Sequence, residues 1–329
     1  MGRGSTFAIA VLALAPAAGC RRGEPARDHL VVAGYTAVQD LLRAELLPEF
    51  ARRWEARAGR PLDVEQSYLG SGAQVRAILS GLEADVAVLS MEPDVHKLVD
   101  AGLVAKDWRA GPPGGMVSRT LVVVAVRKGN PLHLADFDGL GADGVAVLTP
   151  DPRSSGGGMW NILAGVGAAR RLGAADGGLS ALARVLRRVR AMDKGARESI
   201  RSFERGVGDA AITYQSEVRA AARAGAELEE VVPPRTLVIE SPAVVVAANA
   251  RRHGAEEAAR ALVEYLGSED AGRVFGRAGF IGPDEALPPG AFTIRDLGGW
   301  PAAARDVFGQ GGLYDQALEA GRAGAAAPP

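Results

Sequence analysis

Three short stretches decide the fold: Leu30-Val31-Val32-Ala33-Gly34-Tyr35, Leu62-Asp63-Val64-Glu65-Gln66-Ser67-Tyr68 and Asp85-Val86-Ala87-Val88-Leu89. Each is apolar or β-branched enough to read as a strand. Between the first two, Leu41, Leu42, Leu46 and Phe50 recur on one helical face. Between the second and third, Val75, Ile78, Leu79 and Leu82 do the same. A βαβαβ run of this kind predicts a parallel sheet covered by helices, an α/β architecture.

Downstream, Gly111-Pro112-Pro113-Gly114-Gly115 punctuates the chain. Thr120–Val126 and Val145–Thr149 read as strands, the latter leading into Pro150-Asp151-Pro152. A helix is expected from about Gly158 and another through Leu182, Val185 and Leu186. Strands near Val189–Met192 and Ala211–Tyr214 close a second α/β unit, and Thr236–Asn249 reads as apolar and β-rich. Helices near Glu256–Leu266 and Ala271–Ala278 follow. A middle unit inserted into an outer one needs two chain crossings, and the long strands Thr120–Val126 and Val238–Ala247 are placed to make them. The expected division is residues 29–119 with 240–329 in lobe I and residues 120–239 in lobe II, with a cleft between. The tail after Glu319 is low-complexity.

The N-terminus carries an address. Arg3 precedes the apolar run Phe7–Ala15, and Ala17-Ala18-Gly19 leads to Cys20. This reads as a signal peptide over residues 1–19, too short to span a bilayer, which needs ~20 residues. Small residues directly before Cys20 resemble the lipobox of bacterial lipoproteins, with Ala17 where Leu is usual; Cys20 would then be the lipidated first residue. Residues 20–28 are a polar tether. The remaining chain of about 310 residues is long enough for two domains with their own cores.

A net charge of −1 argues against a nucleic-acid partner. Cys20 is the one cysteine, so no intramolecular disulfide can form. The four histidines, His29, His96, His133 and His253, lack metal-ligand spacing, and no metal or other cofactor is expected.

Four predicted strand-to-helix turns carry small or hydroxyl residues where a helix begins: Gly34-Tyr35-Thr36-Ala37, Gly70-Ser71-Gly72-Ala73-Gln74, Ser154-Ser155-Gly156-Gly157-Gly158 and Asp193-Lys194-Gly195-Ala196-Arg197. The first N–H groups of a helix have no intrahelical partner, and the helix dipole adds partial positive charge there. Such ends bind anions without side-chain cations, and glycine lets the anion approach the backbone. One turn alone is ordinarily a helix cap. Two from each lobe, at the carboxyl ends of strands, point to a shared ligand.

Several segments resemble the sulfate-binding proteins of ABC-type transporters. They are Gly70-Ser71-Gly72, Glu83-Ala84-Asp85-Val86, Val126-Arg127-Lys128-Gly129-Asn130-Pro131, Thr149–Gly157 with Trp160-Asn161, Gly195-Ala196-Arg197, Phe203–Asp209, Phe292-Thr293-Ile294 and Gly298-Gly299-Trp300. The resemblance runs from about Leu30 to Gln316. It implies a two-lobed type II periplasmic binding fold and a dehydrated sulfate held by neutral N–H and O–H donors. It further implies that Ser71 donates its N–H and hydroxyl, that Gly156, Gly157, Ala196 and Thr36 donate N–H groups, and that Tyr214 stands where the family has a Trp donating its indole N–H. Thr36-Ala37-Val38-Gln39-Asp40 also replaces the family's Asp-Pro-Thr-Arg-Glu.

A phenol can accept as well as donate, whereas an indole N–H only donates. Tyr214 therefore loosens a filter that would reject protonated phosphate, and oxyanion binding is firmer than sulfate as the species. Thiosulfate, molybdate or tungstate, and phosphate stay open. Arg153 and Arg197 are expected to pin loops or carboxylates such as Asp193 or Asp209, Trp160 to be core, and Trp300 to anchor the C-terminal segment.

Hydrolase and nucleotide signatures are absent: no Gly-x-x-x-x-Gly-Lys-Ser/Thr occurs, Ser71 lacks the Gly-x-Ser-x-Gly spacing, and no His lies in the four turns. The expectation is a monomeric binder rather than an enzyme, in the periplasm or cell envelope. Hinge closure over the anion would present it to a separate ABC permease and ATPase, with an anion-sensing lipoprotein as the alternative.

Overall fold

The computed structural model describes residue 1 and residues 27–110, 114–282 and 285–325. The signal peptide after residue 1, Cys20, most of the tether, the Gly111–Pro113 punctuation and the end of the tail lie outside the described residues. Among the described residues no helix is long and apolar enough to cross a membrane.

The strands are β1 (Asp28–Tyr35), β2 (Leu62–Leu69), β3 (Val86–Val88), β4 (Met116–Arg127), β5 (Val147–Pro150), β6 (Val189–Asp193), β7 (Ala210–Tyr214), β8 (Leu228–Val231) and β9 (Val238–Val245). Their order is β2-β1-β3-β9-β4-β7-β5-β6, with β8 added to β4. The predicted βαβαβ run is present: β1 pairs with β2 and β3 in parallel. A second parallel set joins β5 to β6 and β7. The long strands β4 and β9 run antiparallel to each other and link the two sets.

Each long strand changes partner along its length. Residues Met116–Leu121 of β4 face β9, and Val122–Val126 face β7. In β9, Val238–Pro242 face β4 and Ala243–Val245 face β3. Val122, Val123 and Val124 are fully buried, as expected of a strand covered on both faces.

Three readings need correction. The β-rich stretch Thr236–Asn249 runs too far: β9 stops at Val245 and a helix begins at Ala247, where Ala247-Ala248-Asn249-Ala250 offers good helix formers. Strand β8 went unread because Leu228-Glu229-Glu230-Val231 is half charged. The span 240–329 is also not wholly on the outer side. Phe292 bridges to Leu237, a Cβ on Gly167 would lie 2.3 Å from the Phe292 ring, and the helix Leu313–Ala325 packs on Leu179–Arg188. The C-terminal segment therefore packs on residues 120–239 as well as on the outer part of the chain.

The main core runs through both halves and includes Leu30, Phe50, Val124, Trp160, Tyr214, Phe292 and Trp300. Trp160 and Trp300 meet edge to face, 4.7 Å between centroids, so Trp160 is core and Trp300 anchors the C-terminal segment.

Candidate functional site

All four predicted turns lie at carboxyl ends of strands. Thr36 opens the helical run after β1, and Ser71 is the first residue of the helix Ser71–Leu79 after β2. Gly156 opens the helix Gly156–Arg171 after β5, and Ala196 opens Ala196–Glu204 after β6. Tyr214 ends β7 and caps the helix Gln215–Arg223. The first N–H groups of all these helices lack intrahelical acceptors.

The turns meet. A Cβ placed on Gly157 would lie 3.2 Å from Ser155 Oγ, 3.4 Å from Ala196 Cβ and 3.4 Å from the Tyr214 hydroxyl. One placed on Gly195 would lie 3.5 Å from Thr36 Oγ1. One on Gly70 would lie 3.4 Å from the Ser154 carbonyl and 3.7 Å from the Lys194 carbonyl. Thr36 is half-buried, and Ser71, Gly156, Gly157, Ala196 and Tyr214 are buried. Five segments far apart in sequence thus converge across the line between the two parallel sets.

Two donors are engaged by the protein itself. Ser71 Oγ donates to the buried carboxylate of Asp94 at 2.6 Å and accepts from Ser90 N–H at 3.1 Å. The expected Ser71 hydroxyl donor is thereby corrected: the hydroxyl ties Asp94 to the Ser90 loop, and the backbone N–H remains the Ser71 group free of this role. Gly157 N–H donates to Ser155 Oγ at 3.1 Å, an N-cap that leaves the Ser155 proton to point outward. Asp94 is also held by Lys97 Nζ at 2.7 Å.

The arginines at the rim neutralise carboxylates, though not Asp193 or Asp209 as expected. Arg153 pairs with Asp151. Arg197 holds buried Glu217 with Nε at 2.7 Å and reaches Asp40 with Nη1 at 2.5 Å. Burial works to lower the Arg197 pKa, but the Glu217 charge and hydrogen bonds, with those of Asp40, raise it. Burial raises the Glu217 carboxyl against the pull of Arg197. Asp193 instead accepts from Ser199 and Ser202, and Asp209 from Ala146 N–H.

Burial, seconded by Tyr35, pushes the Tyr214 phenol well above its ordinary value, so it keeps its proton. Tyr35, hydrogen-bonded to Ser241 at 3.1 Å, is pushed up to about 12 by burial. Two groups that residue-by-residue reading missed stand in the same place. Ser155 carried a signal, since a Ser before glycines at a helix start is an N-cap. Ser90, in the loop just past β3, carries none: Leu89-Ser90-Met91-Glu92-Pro93 has no glycine turn. A separate apolar cavity of about 300 Å³ lies behind the site, lined by Phe137, Ile162, Ala169, Leu182, Val185 and Ile212, and it lacks these donors. Among the described residues no cluster of His, Cys, Asp and Glu has the makings of a metal site.

A family model described as bacterial extracellular solute-binding protein matches residues 30–281. The chain is 32% identical over 314 residues to the sulfate-binding protein of Synechococcus elongatus, covering 91% of this chain and 88% of that one. It is 30% identical over 321 residues to the thiosulfate-binding protein of Escherichia coli, covering 89% and 95%. Among solved structures, the sulfate-binding protein SubI from Mycobacterium tuberculosis H37Rv superposes with a TM-score of 0.79 at 32% identity, over 86% of this chain and all of that one.

Proposed function

The chain belongs to the sulfate-binding family of bacterial extracellular solute-binding proteins, and we propose from that premise that it captures a tetrahedral oxyanion for ABC-type uptake. Sulfate or thiosulfate is the ligand. The observation that carries this reading is the convergence of the turns, with Ala196 and the Tyr214 hydroxyl beside Gly157, Thr36 beside Gly195 and the Ser154 turn beside Gly70, while Arg153 and Arg197 are held by carboxylates. An anion there is met by neutral donors. Burying a dianion is costly, but hydrogen bonds to a charged group contribute ~1.5–3 kcal/mol each.

In this reading Ser71, Gly156, Ala196 and Thr36 offer backbone N–H groups, the Gly157 N–H turns to the anion from its Ser155 cap, and Tyr214 and Ser155 offer hydroxyls. Residues 29–119 with the first part of 240–329 form one lobe and 120–239 the other, closing about β4 and β9. The closed form docks on a permease, whose ATPase subunits are separate chains. The protein acts as a monomeric binder without turnover. Residues 1–19 direct export, and a lipid on Cys20 holds the protein at the cell envelope.

A thermal-shift panel of sulfate, thiosulfate, hydrogen phosphate, molybdate and tungstate tests this, because a ligand that binds the native state alone raises its stability. Sulfate or thiosulfate raises the midpoint most. No shift with any of the five anions overturns the reading.

A further inference from the structure

Ser90 is 2% exposed, and its hydroxyl makes no well-formed hydrogen bond, the Tyr214 phenol being close enough for one. Its backbone is fixed from both sides. The N–H donates to Ser71 Oγ at 3.1 Å, and the carbonyl accepts from Trp160 Nε1 at 2.9 Å. Ser71 opens the helix after β2, and Trp160 belongs to the helix that Gly156 opens. Both backbone groups thus hold the residue so that its side chain faces that helix start.

The side chain points where Gly156 lacks one: a Cβ on Gly156 would lie 2.1 Å from Ser90 Oγ. Glycine at this position leaves room for the Ser90 hydroxyl. Ser90 also stands close enough to the Tyr214 phenol to pull its pKa down against burial. The Tyr214 hydroxyl in turn neighbours Gly157. Two hydroxyls therefore bracket the Gly156-Gly157 amides. A buried pair of hydroxyls bonded at most to each other leaves one proton unspent, and a ligand would use it.

We propose that Ser90 is a specificity-determining residue of the oxyanion site, its hydroxyl forming with that of Tyr214 a pair that admits a protonated tetrahedral oxyanion, hydrogen phosphate or its arsenate analogue, beside sulfate. This rests on the oxyanion reading above. The reason is the count of protons. Each hydroxyl offers one donor and accepts as well. With fully deprotonated sulfate, one hydroxyl donates to the other and a single O–H is left for the anion. With hydrogen phosphate, the ligand O–H donates to Tyr214, Tyr214 donates to Ser90, and Ser90 donates back to a phosphate oxygen. Every proton in that ring has an acceptor. Without the Ser90 hydroxyl, the phosphate proton can reach Tyr214 only by leaving the Tyr214 proton unpaired in a buried place. Sulfate needs no such ring, since Tyr214 still donates to it.

Titration calorimetry at pH 8 with sulfate and with inorganic phosphate, on the wild-type protein and Ser90→Ala, tests this. Wild type binds both. Ser90→Ala lowers phosphate affinity about tenfold or more and sulfate affinity less than about threefold, so the preference for sulfate widens. Ser90→Thr, which keeps the hydroxyl, restores the wild-type ratio. Should Ser90→Ala fail to fold, Ser90→Cys, with a similar volume and a weak S–H donor, gives the same reading. Equal losses for both anions, or no change for either, overturn the proposal. Wild type that takes sulfate but no phosphate at millimolar concentration overturns it and leaves the sulfate reading intact. Wild type that takes neither anion overturns both.

Discussion

Arg197 Nη1 lies 2.5 Å from Asp40 Oδ2, so one guanidinium joins the helix after β6 to the helical run after β1 while its Nε holds Glu217. The two carboxylates differ in surroundings: the Glu217 side chain is 2% exposed and that of Asp40 is 71% exposed. Removing the guanidinium leaves a buried carboxylate unpaired. Arg197→Ala should destabilise the unliganded protein by about 3–5 kcal/mol, and adding Glu217→Gln should recover much of that. Asp40→Asn should cost at most ~1 kcal/mol, as for an exposed ion pair. Urea unfolding of the three variants checks the order; equal costs for the Arg197 and Asp40 changes would contradict it.

Adjacent glycines should part company. A Cβ at Gly157 meets Ser155 Oγ, a rotatable side-chain atom, and otherwise ordinary contacts. Gly157→Ala should fold with nearly unchanged stability, helped by better helix propensity, and lose sulfate binding about 100-fold because the methyl occupies the anion's place. A Cβ at Gly158 meets the backbone at Pro150 O and Pro152 N, each at 2.5 Å. Gly158→Ala should instead cost ~1–3 kcal/mol of stability. Thermal melts paired with calorimetry separate the two.

Tyr214→Phe should weaken sulfate about tenfold, because a donor beside Gly157 is lost, and hydrogen phosphate more than that, because the acceptor for its proton goes too. Its pKa lies well above 10.0 through burial first, so the sulfate affinity of wild type should not fall between pH 7 and 9 from loss of this proton. A drop that disappears in Tyr214→Phe would show the phenol ionising.

His253 supplies a pH dependence of stability far from the site. Its Nδ1 is 2.7 Å from Asp85, whose other oxygen accepts from Val31 N–H in β1. The hydrogen bond to Asp85 chiefly, with Glu83 adding, raises the His253 pKa above 6.5 although burial opposes it. The folded state therefore holds this proton more tightly than the unfolded chain. The stabilisation is fully present below about 6.5 and is lost as pH rises through the higher folded value. The gap in thermal midpoint between wild type and His253→Gln should be largest near pH 5.5 and close by pH 9. A gap that widens with pH would reverse the assignment.

Legibility followed locality. Strands β1 to β3 and their helices were readable because an apolar alternation or a helical stripe lies within a dozen neighbouring residues. The helix starts at Ser71, Gly156 and Ala196 were readable because glycine and hydroxyl residues mark turns by their own chemistry. The partner of a side chain has no such signal. The turn marks Ser71 as a ligand hydroxyl, yet in the fold it serves Asp94 and Ser90, which it reaches only through tertiary packing. Chain proximity points Arg197 to carboxylates such as Asp193 or Asp209, while its partners are Glu217 and Asp40, the latter 157 positions away.

The residue pattern by itself determined the α/β class, the two strand sets and the places where helices begin, because backbone geometry and hydrophobic period are short-range properties. Only the tertiary structure decided that the Ser90 hydroxyl, with no motif around it, stands against Gly156 beside the Tyr214 phenol, and that the C-terminal helix packs on the helix Leu179–Arg188. Those facts arise from packing between distant segments, where the free energy of a buried donor depends on what the whole fold sets beside it.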